Sequence, residues 1–226
     1  MRRPQPDGQV RWRCGACGQH ATGVRDSFPE ASTVAGMDVH AWMLSDLASM
    51  RSKLFDSVIR LVRTDRWHEQ ADGGGTTLAG LLFHVARHQD LAVNAVIRNH
   101  DLLFEEYRDA LGLAGHPPSV GLSEAENRDA TALLEPGALL HYLTAVFDRT
   151  HEWLEPLGSL ALDIEPNTDY RLTHRASLDR DDVPWLYSMW EGKALWWFVQ
   201  WPVIGHGHAH TGEAISIRNR MGLSPF

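Results

Sequence analysis

Hydrophobic residues repeat every three or four positions in four long stretches of the chain, the spacing of one face of an α-helix. The stripes cover residues 47–61, 78–96, 139–154 and 195–221. Strand-like alternation of apolar and polar residues is scarce between them. The pattern therefore predicts an all-α fold, a four-helix bundle with a long connection between its second and third helices.

Capping residues mark where these helices should begin and end. Asp38 should cap the first helix and Thr76 or Thr77 the second, because a short oxygen-bearing side chain accepts from the free N–H groups of a first turn. Pro136 suits the first turn of the third helix. Gly222 suits the residue that follows the last helix, where a left-handed backbone conformation is common.

Polar residues between and within the stripes give two further expectations. Residues 158–184 are polar and are expected to form a loop. Arg87, Asn94 and Arg98 lie off the apolar stripe of the second helix and are expected to face solvent.

Composition narrows the class of protein. The chain has 226 residues and a net charge of −8, which argues against a nucleic-acid-binding surface. It contains no run of eighteen apolar residues and no apolar signal segment near Met1, so we expect a cytoplasmic protein without a membrane contact. The expected partner is a small-molecule substrate. Apolar surface beside Pro202 could also pair two copies into a homodimer.

The first 36 residues differ from the rest of the chain. They are rich in Gly, Pro, Arg and Gln and have no sustained apolar period, so they are expected to form a flexible N-terminal preface to a domain at 37–226. Cys14 and Cys17, with His20 nearby, could be half of a zinc knuckle or a redox pair. Because further ligands are missing at suitable spacing, we favour two incidental cysteines.

The most informative segment lies near the C-terminus, where three histidines fall within five residues. In a helix His206 and His210 lie one turn apart, and Glu213 follows on the same face. These residues continue the apolar seam, whereas His208 points elsewhere. A buried carboxylate is costly unless it is paired or binds a metal, so the pattern indicates a metal site. Core histidines with hydrogen bonds, and Glu213 as an ion partner, are the alternative.

Two segments resemble the motifs of a known family. Thr77–Ala86 is a leucine-rich turn that contains His84, and His206–Ile215 contains a His-x-x-x-His pair followed by Gly and Glu. Both resemble the DinB-like superfamily, metal-dependent four-helix proteins related to bacterial thiol S-transferases and mycothiol-dependent maleylpyruvate isomerase. The resemblance covers about residues 37–226. The commoner family form has Arg-Gly-Gln after its last histidine, whereas this chain has Thr-Gly-Glu.

The resemblance implies a metal triad of His84, His206 and His210, with His88 and His208 outside the ligand shell. It implies a divalent ion, Zn²⁺ first with Ni²⁺ or Fe²⁺ as alternatives, and a low-molecular-weight thiol as a second cofactor. The expected activity is transfer of that thiol to an electrophilic small molecule through a metal-bound thiolate.

Several alternatives remain open from the residues themselves. Three imidazoles and an open position would also serve a hydrolase that uses metal-bound water, or a non-catalytic metal-binding stress protein. A four-histidine site, with His84 and His88 facing His206 and His210, would suit iron or haem. Glu213 is the candidate catalytic residue, as a general base or by orienting a ligand histidine.

Overall fold

All secondary structure in the part of the chain that the structure describes is helical. The computed structural model describes residues 38–71, 74–123 and 128–225, and these contain no β-strand. The all-α prediction is therefore confirmed. The N-terminal preface with Cys14 and Cys17, and the expectation that it is flexible, lie outside the described residues. None of the helices found in the described ranges is long and apolar enough to cross a bilayer.

The α-helices follow one another along the whole described chain. They are α1 Val39–Leu54, α2 Leu78–Asp90, α3 Leu103–Tyr107, α4 Arg128–Thr131, α5 Pro136–Leu154, α6 Thr168–Arg175, α7 Pro184–Trp190, α8 Leu195–Phe198 and α9 His206–Arg218. Wider π-helical turns continue the long helices, at Phe55–Ile59 after α1, Leu91–Ile97 after α2, Val199–Gly205 before α9 and Asn219–Leu223 after it. Short 3₁₀ segments occupy Thr64–Arg66 and Ser159–Asp163.

The predicted caps are present at the helix ends. Asp38 accepts a hydrogen bond from the backbone N–H of Ala41 at 2.7 Å, and Thr77 accepts one from Gly80 at 3.1 Å. Pro136 occupies the first turn of α5. Gly222 has φ 77°, the left-handed conformation that ends a helix. Local side-chain chemistry thus defines the helix ends as the sequence indicated.

The four long helices pack in a ring in which α1 contacts α5, α5 contacts α2, α2 contacts α9, and α9 contacts α1. The predicted stripes supply the buried surface, including Leu47 and Met50 of α1 and Leu143 of α5. Leu61 is the exception at 44% exposed, because the helix has ended by Ile59, and Val62 is buried in its place.

Helix α2 is buried on nearly all sides, so the expectation that Arg87 and Asn94 face solvent is wrong. Both side chains are buried. Asn94 donates to the buried carboxylate of Asp90 at 2.7 Å, and Arg87 bonds backbone carbonyls of the long connection. Buried polar groups are tolerated when they find such partners. Asp90 lies one turn before Asn94 on the same helix, whereas the carbonyls that bind Arg87 lie 31 and 33 residues away, where a local pattern does not reveal them.

Residues 158–184 contain helix rather than the expected continuous loop. The 3₁₀ turn Ser159–Asp163 is followed by α6, whose cap Asn167 accepts from the N–H of Tyr170. Leu172 and Leu178 are buried, and α6 contacts the π turn Leu91–Ile97. Burial of Leu172, together with hydrogen bonds from Arg171 to the carbonyls of Val96 and Ile97, holds this short polar helix against the core.

Pro202 lies inside the π turn that precedes α9. Proline has no N–H to donate to the preceding turn, and a π turn is a common way for a helix to absorb such an interruption. Because regular α-helix resumes at His206, the histidine segment begins immediately after this interruption.

Candidate metal centre

The first two histidines of the centre lie one turn apart on α9. Val203 before them and Ile217 after them are buried, so His206 and His210 continue the seam as the sequence predicted. The Nε2 atoms of His206 and His210 are 3.1 Å apart. Gly207 lets α1 approach closely, because a Cβ there would lie 2.8 Å from the sulfur of Met50.

His84 reaches the same point from α2. Its Nε2 lies 3.2 Å from Nε2 of His206, and its ring centroid lies 4.9 Å from that of His210. The contact between α2 and α9 therefore brings together the three histidines that the family resemblance implied. Ligand nitrogens around a zinc-type ion lie about 3–4 Å apart.

Hydrogen bonds at the far ring atoms fix the orientation of two of these imidazoles. Nδ1 of His84 lies 2.8 Å from the carbonyl oxygen of Gly121, and Nδ1 of His210 lies 3.0 Å from Oε2 of Glu213. Carbonyl and carboxylate oxygens only accept, so Nδ1 must carry the proton in each ring. The Nε2 lone pairs of both rings are consequently free and face His206, as in most histidine metal ligands.

The protonation states of these rings suit a cation. Burial holds the pKa of His206 well below its ordinary value, and burial lowers the pKa of His84 to about 4, so both rings are neutral near pH 7. The Nδ1 atom of His206 is buried without a hydrogen-bond partner. If Nε2 of His206 carries a proton, that proton can form a good hydrogen bond to the Nε2 of only one neighbour, His84 or His210. A divalent ion between the rings could instead accept the Nε2 lone pairs of all three histidines. The residues therefore fit a metal ion.

His88 also lies in this cluster, although the sequence analysis placed it outside the ligand shell. Its ring centroid lies 4.5 Å from that of His84 and 4.6 Å from that of His206. Ligand atoms of His84, His88 and His206 all lie within 4.8 Å of one another, a group that could hold a metal ion. Burial, followed by the neighbouring His84, lowers the pKa of His88 to about 3.

Part of the long connection, residues 118–122, crosses α2 beside the histidines, and we call it the strap. Arg87 donates to the carbonyl oxygens of Pro118 at 2.7 Å and Val120 at 3.0 Å. The next two strap carbonyls, those of Gly121 and Leu122, accept from His84 and His88. One face of α2 thus binds four backbone carbonyls. Sequence reasoning missed these partners, because backbone atoms carry no residue signature.

His208 and Glu213, the two other candidates on α9, do not face the three Nε2 atoms. His208 points away from the cluster, with its Nε2 3.2 Å from the carboxylate of Asp46 on α1. The side chain of Glu213 is 40% exposed, so the expectation of a buried carboxylate is wrong, and its Oε2 accepts from Nδ1 of His210 on the outer edge of that ring. Glu213 contacts Nδ1 of His210, on the side of the ring away from the three Nε2 atoms. This position suits a residue that orients His210 better than it suits a general base acting at the metal.

Comparisons with known proteins give a fold but no function. No protein-family model matches the chain, and no curated protein matches it. A crystal structure of a conserved protein of a locus from Enterococcus faecalis is similar, with a TM-score of 0.57 and 16% sequence identity. The similarity covers 83% of this chain and 99% of that protein. At this identity the likeness shows the fold alone.

Proposed function

We propose that this chain is a metal-dependent enzyme of the DinB-like type, which transfers a low-molecular-weight thiol to an electrophilic small molecule. His84, His206 and His210 would hold the ion. The observation that carries the proposal is the meeting of their three Nε2 atoms, with neighbouring separations of 3.1 and 3.2 Å. The family motifs around His84 and His206 support the same assignment.

A bound divalent ion would supply one piece of chemistry, which is to favour the thiolate form of a coordinated thiol at neutral pH. The protein's own residues would then orient the site. Gly121 and Glu213 hold the rings of His84 and His210 with Nε2 facing inward. Such supporting partners usually matter for metal affinity nearly as much as the ligands do.

The centre is partly exposed to solvent. The side chain of His210 is 16% exposed, and His84 and His206 are only partly buried. Trp185, which is 40% exposed, lies with its ring 6.1 Å from that of His88. An exposed indole beside the histidine cluster would offer an apolar contact to an organic electrophile.

The ion itself is also part of the proposal. Imidazole donors suit zinc, nickel and iron, and the three-histidine set alone implies zinc. A hydrolase or a non-catalytic metal-binding protein would use the same ligands. Those two functions are separated from thiol transfer by the experiment below.

The full chain should be purified, stripped of metal and reloaded with Zn²⁺, Ni²⁺, Fe²⁺ or Co²⁺. Glutathione and N-acetylcysteine serve as thiol probes and 1-chloro-2,4-dinitrobenzene as the electrophile. We expect metal-dependent conjugation, and a sulfur-to-cobalt charge-transfer band in the cobalt form. Both should be lost in His206→Ala and retained in His208→Ala, the control from the same helix.

Three results would contradict thiol transfer. If His206→Ala and His208→Ala retain metal equally, the ligand assignment fails. If metal binds but neither probe gives the band or the conjugate, and an activated ester is hydrolysed instead, the hydrolase is correct. If metal binds without either activity, the non-catalytic function is correct.

A further inference from the structure

The three-histidine site leaves one imidazole of the cluster without an assigned role. His88 is 7% exposed, and its ring contacts a histidine on its own helix and one on α9. A buried histidine beside three converging imidazoles either forms part of the wall or contributes a lone pair. The hydrogen bonds of the ring decide which atom it could contribute.

Nε2 of His88 lies 3.1 Å from the carbonyl oxygen of Leu122. Because a carbonyl only accepts, Nε2 carries the proton of the neutral ring and Nδ1 carries the lone pair. His84, one turn earlier on α2, bonds the adjacent strap carbonyl of Gly121 through Nδ1 instead. Two consecutive carbonyls therefore select opposite tautomers in the two histidines of α2, and each ring keeps one lone pair for another partner.

The distances are compatible with a shared ion. With bonds of about 2.1 Å, neighbouring nitrogens around an octahedral ion are ~3.0 Å apart and opposite ones ~4.2 Å apart. One ring nitrogen from each of His84, His88 and His206 lies within 4.8 Å of the other two, and the ring centroids of His88 and His206 are 4.6 Å apart. His84 and His88 form one i, i+4 pair, and His206 and His210 form the facing pair on α9.

We propose that His88 is a fourth ligand, so that two i, i+4 histidine pairs form a four-imidazole centre between α2 and α9. The inference rests on the metal centre of the proposed function and deepens it by selecting the ion. Four imidazoles would fill a tetrahedral zinc site and leave no position for a thiol. An ion that accepts five or six ligands, such as Fe²⁺, Ni²⁺ or Co²⁺, keeps at least one position for the substrate.

Coordination number, rather than activity, tests this inference. The full chain loaded with Ni²⁺ or Co²⁺ should show four imidazole ligands by X-ray absorption. His88→Phe, which replaces the imidazole by another aromatic ring, should show three, and its metal affinity should fall by more than the ~10–100-fold typical of losing a supporting residue. His208→Phe is the matched control and should still show four.

The outcomes separate the two proposals. Three imidazoles in the wild-type chain, unchanged in His88→Phe, would overturn the fourth ligand and leave the three-histidine enzyme intact. No metal in the wild-type chain, or full metal retention in His84→Phe, would overturn the proposed function itself. If His88→Phe does not fold, the wild-type count still decides. His88→Gln, which keeps a donor for Leu122, provides a second variant.

Discussion

Gly121 lies so close to the ring of Phe83 that a Cβ added to it would be 2.4 Å from Cε1 of that ring. The same Cβ would be 2.8 Å from Cγ of Arg87. Real side chains do not tolerate such approaches, so only glycine lets the strap lie flat on α2. Gly121 also has φ +85°, which independently favours glycine.

Gly121→Ala should therefore displace the strap and weaken the bond from its carbonyl to His84. We expect metal affinity to fall by about 10–100-fold, the usual cost of losing a supporting partner, and the melting temperature to fall as well. Gly115→Ala is a matched control, because Gly115 has φ +79° but no atom within 4 Å of the added Cβ. Gly115→Ala should lower the melting temperature only by the cost of placing alanine at a positive φ, and its metal affinity should stay near normal. Equal effects in both variants would mean that packing of the strap does not matter.

Glu213→Ala should lower metal affinity by about 10–100-fold, because His210 then loses the acceptor that fixes its tautomer. Isothermal titration with Zn²⁺ or Ni²⁺ measures the change. Asp46→Ala removes the equivalent carboxylate from His208, at 3.2 Å, and is the control. If Asp46→Ala weakens binding as much as Glu213→Ala, the effect is general electrostatics rather than orientation of a ligand.

Arg87→Met should lower the free energy of unfolding by about 2–4 kcal/mol, since the buried carbonyl of Val120 and the partly buried carbonyl of Pro118 lose their donor. Urea denaturation of the metal-free protein measures this loss. Arg60→Met is the control substitution, because the Arg60 side chain is 74% exposed and forms a surface ion pair with Asp56. It should change the free energy of unfolding very little. A loss below about 0.5 kcal/mol in Arg87→Met, the range of ordinary surface changes, would show that the strap needs no anchor at Arg87.

The metal-free protein should lose stability as the pH falls. The folded-state pKa values of His84, about 4, and His88, about 3, lie below the ordinary value of 6.5. Between pH 6.5 and these values the unfolded chain binds protons that the folded chain does not, so the free energy of unfolding decreases with falling pH. For His84 the loss is on the order of 3 kcal/mol, and it levels off below pH 4. Urea denaturation at several pH values measures the slope.

His84→Phe should have a shallower slope over that range, and His208→Phe, which lies outside the cluster, should retain the wild-type slope. An identical slope in all three proteins would show that other groups cause the acid sensitivity.

The sequence revealed those parts of the site that lie close together along the chain. His206, His210 and Glu213 are recognisable because helical spacing places them on one face of α9. The two histidines continue the buried seam, whereas Glu213 lies at its exposed edge. His84 lies 122 residues before His206, so no local pattern joins the two, and only the family resemblance suggested the pairing. Long-range contacts of this kind depend on how helices pack, which periodicity does not specify.

His88 shows a different limit. Its i, i+4 relation to His84 was visible, but its tautomer depends on the carbonyl of Leu122 in a connection with no helical period. Arg87 was expected to face solvent because helical periodicity does not show that the same connection covers it. The strap covers Arg87 and accepts its hydrogen bonds through backbone carbonyls, whose positions do not follow from residue identity. Helix ends and core stripes were predictable because caps and apolar spacing act locally.

The strap also has a thermodynamic consequence. Its carbonyls select the tautomers of His84 and His88, so an ion that uses the resulting lone pairs binds better when the strap is closed. By reciprocity, such an ion must hold the strap closed by the same free energy. Strap amides should then exchange hydrogen with solvent more slowly in the loaded protein, and a change that destabilises residues 118–122 should weaken metal binding without altering a ligand.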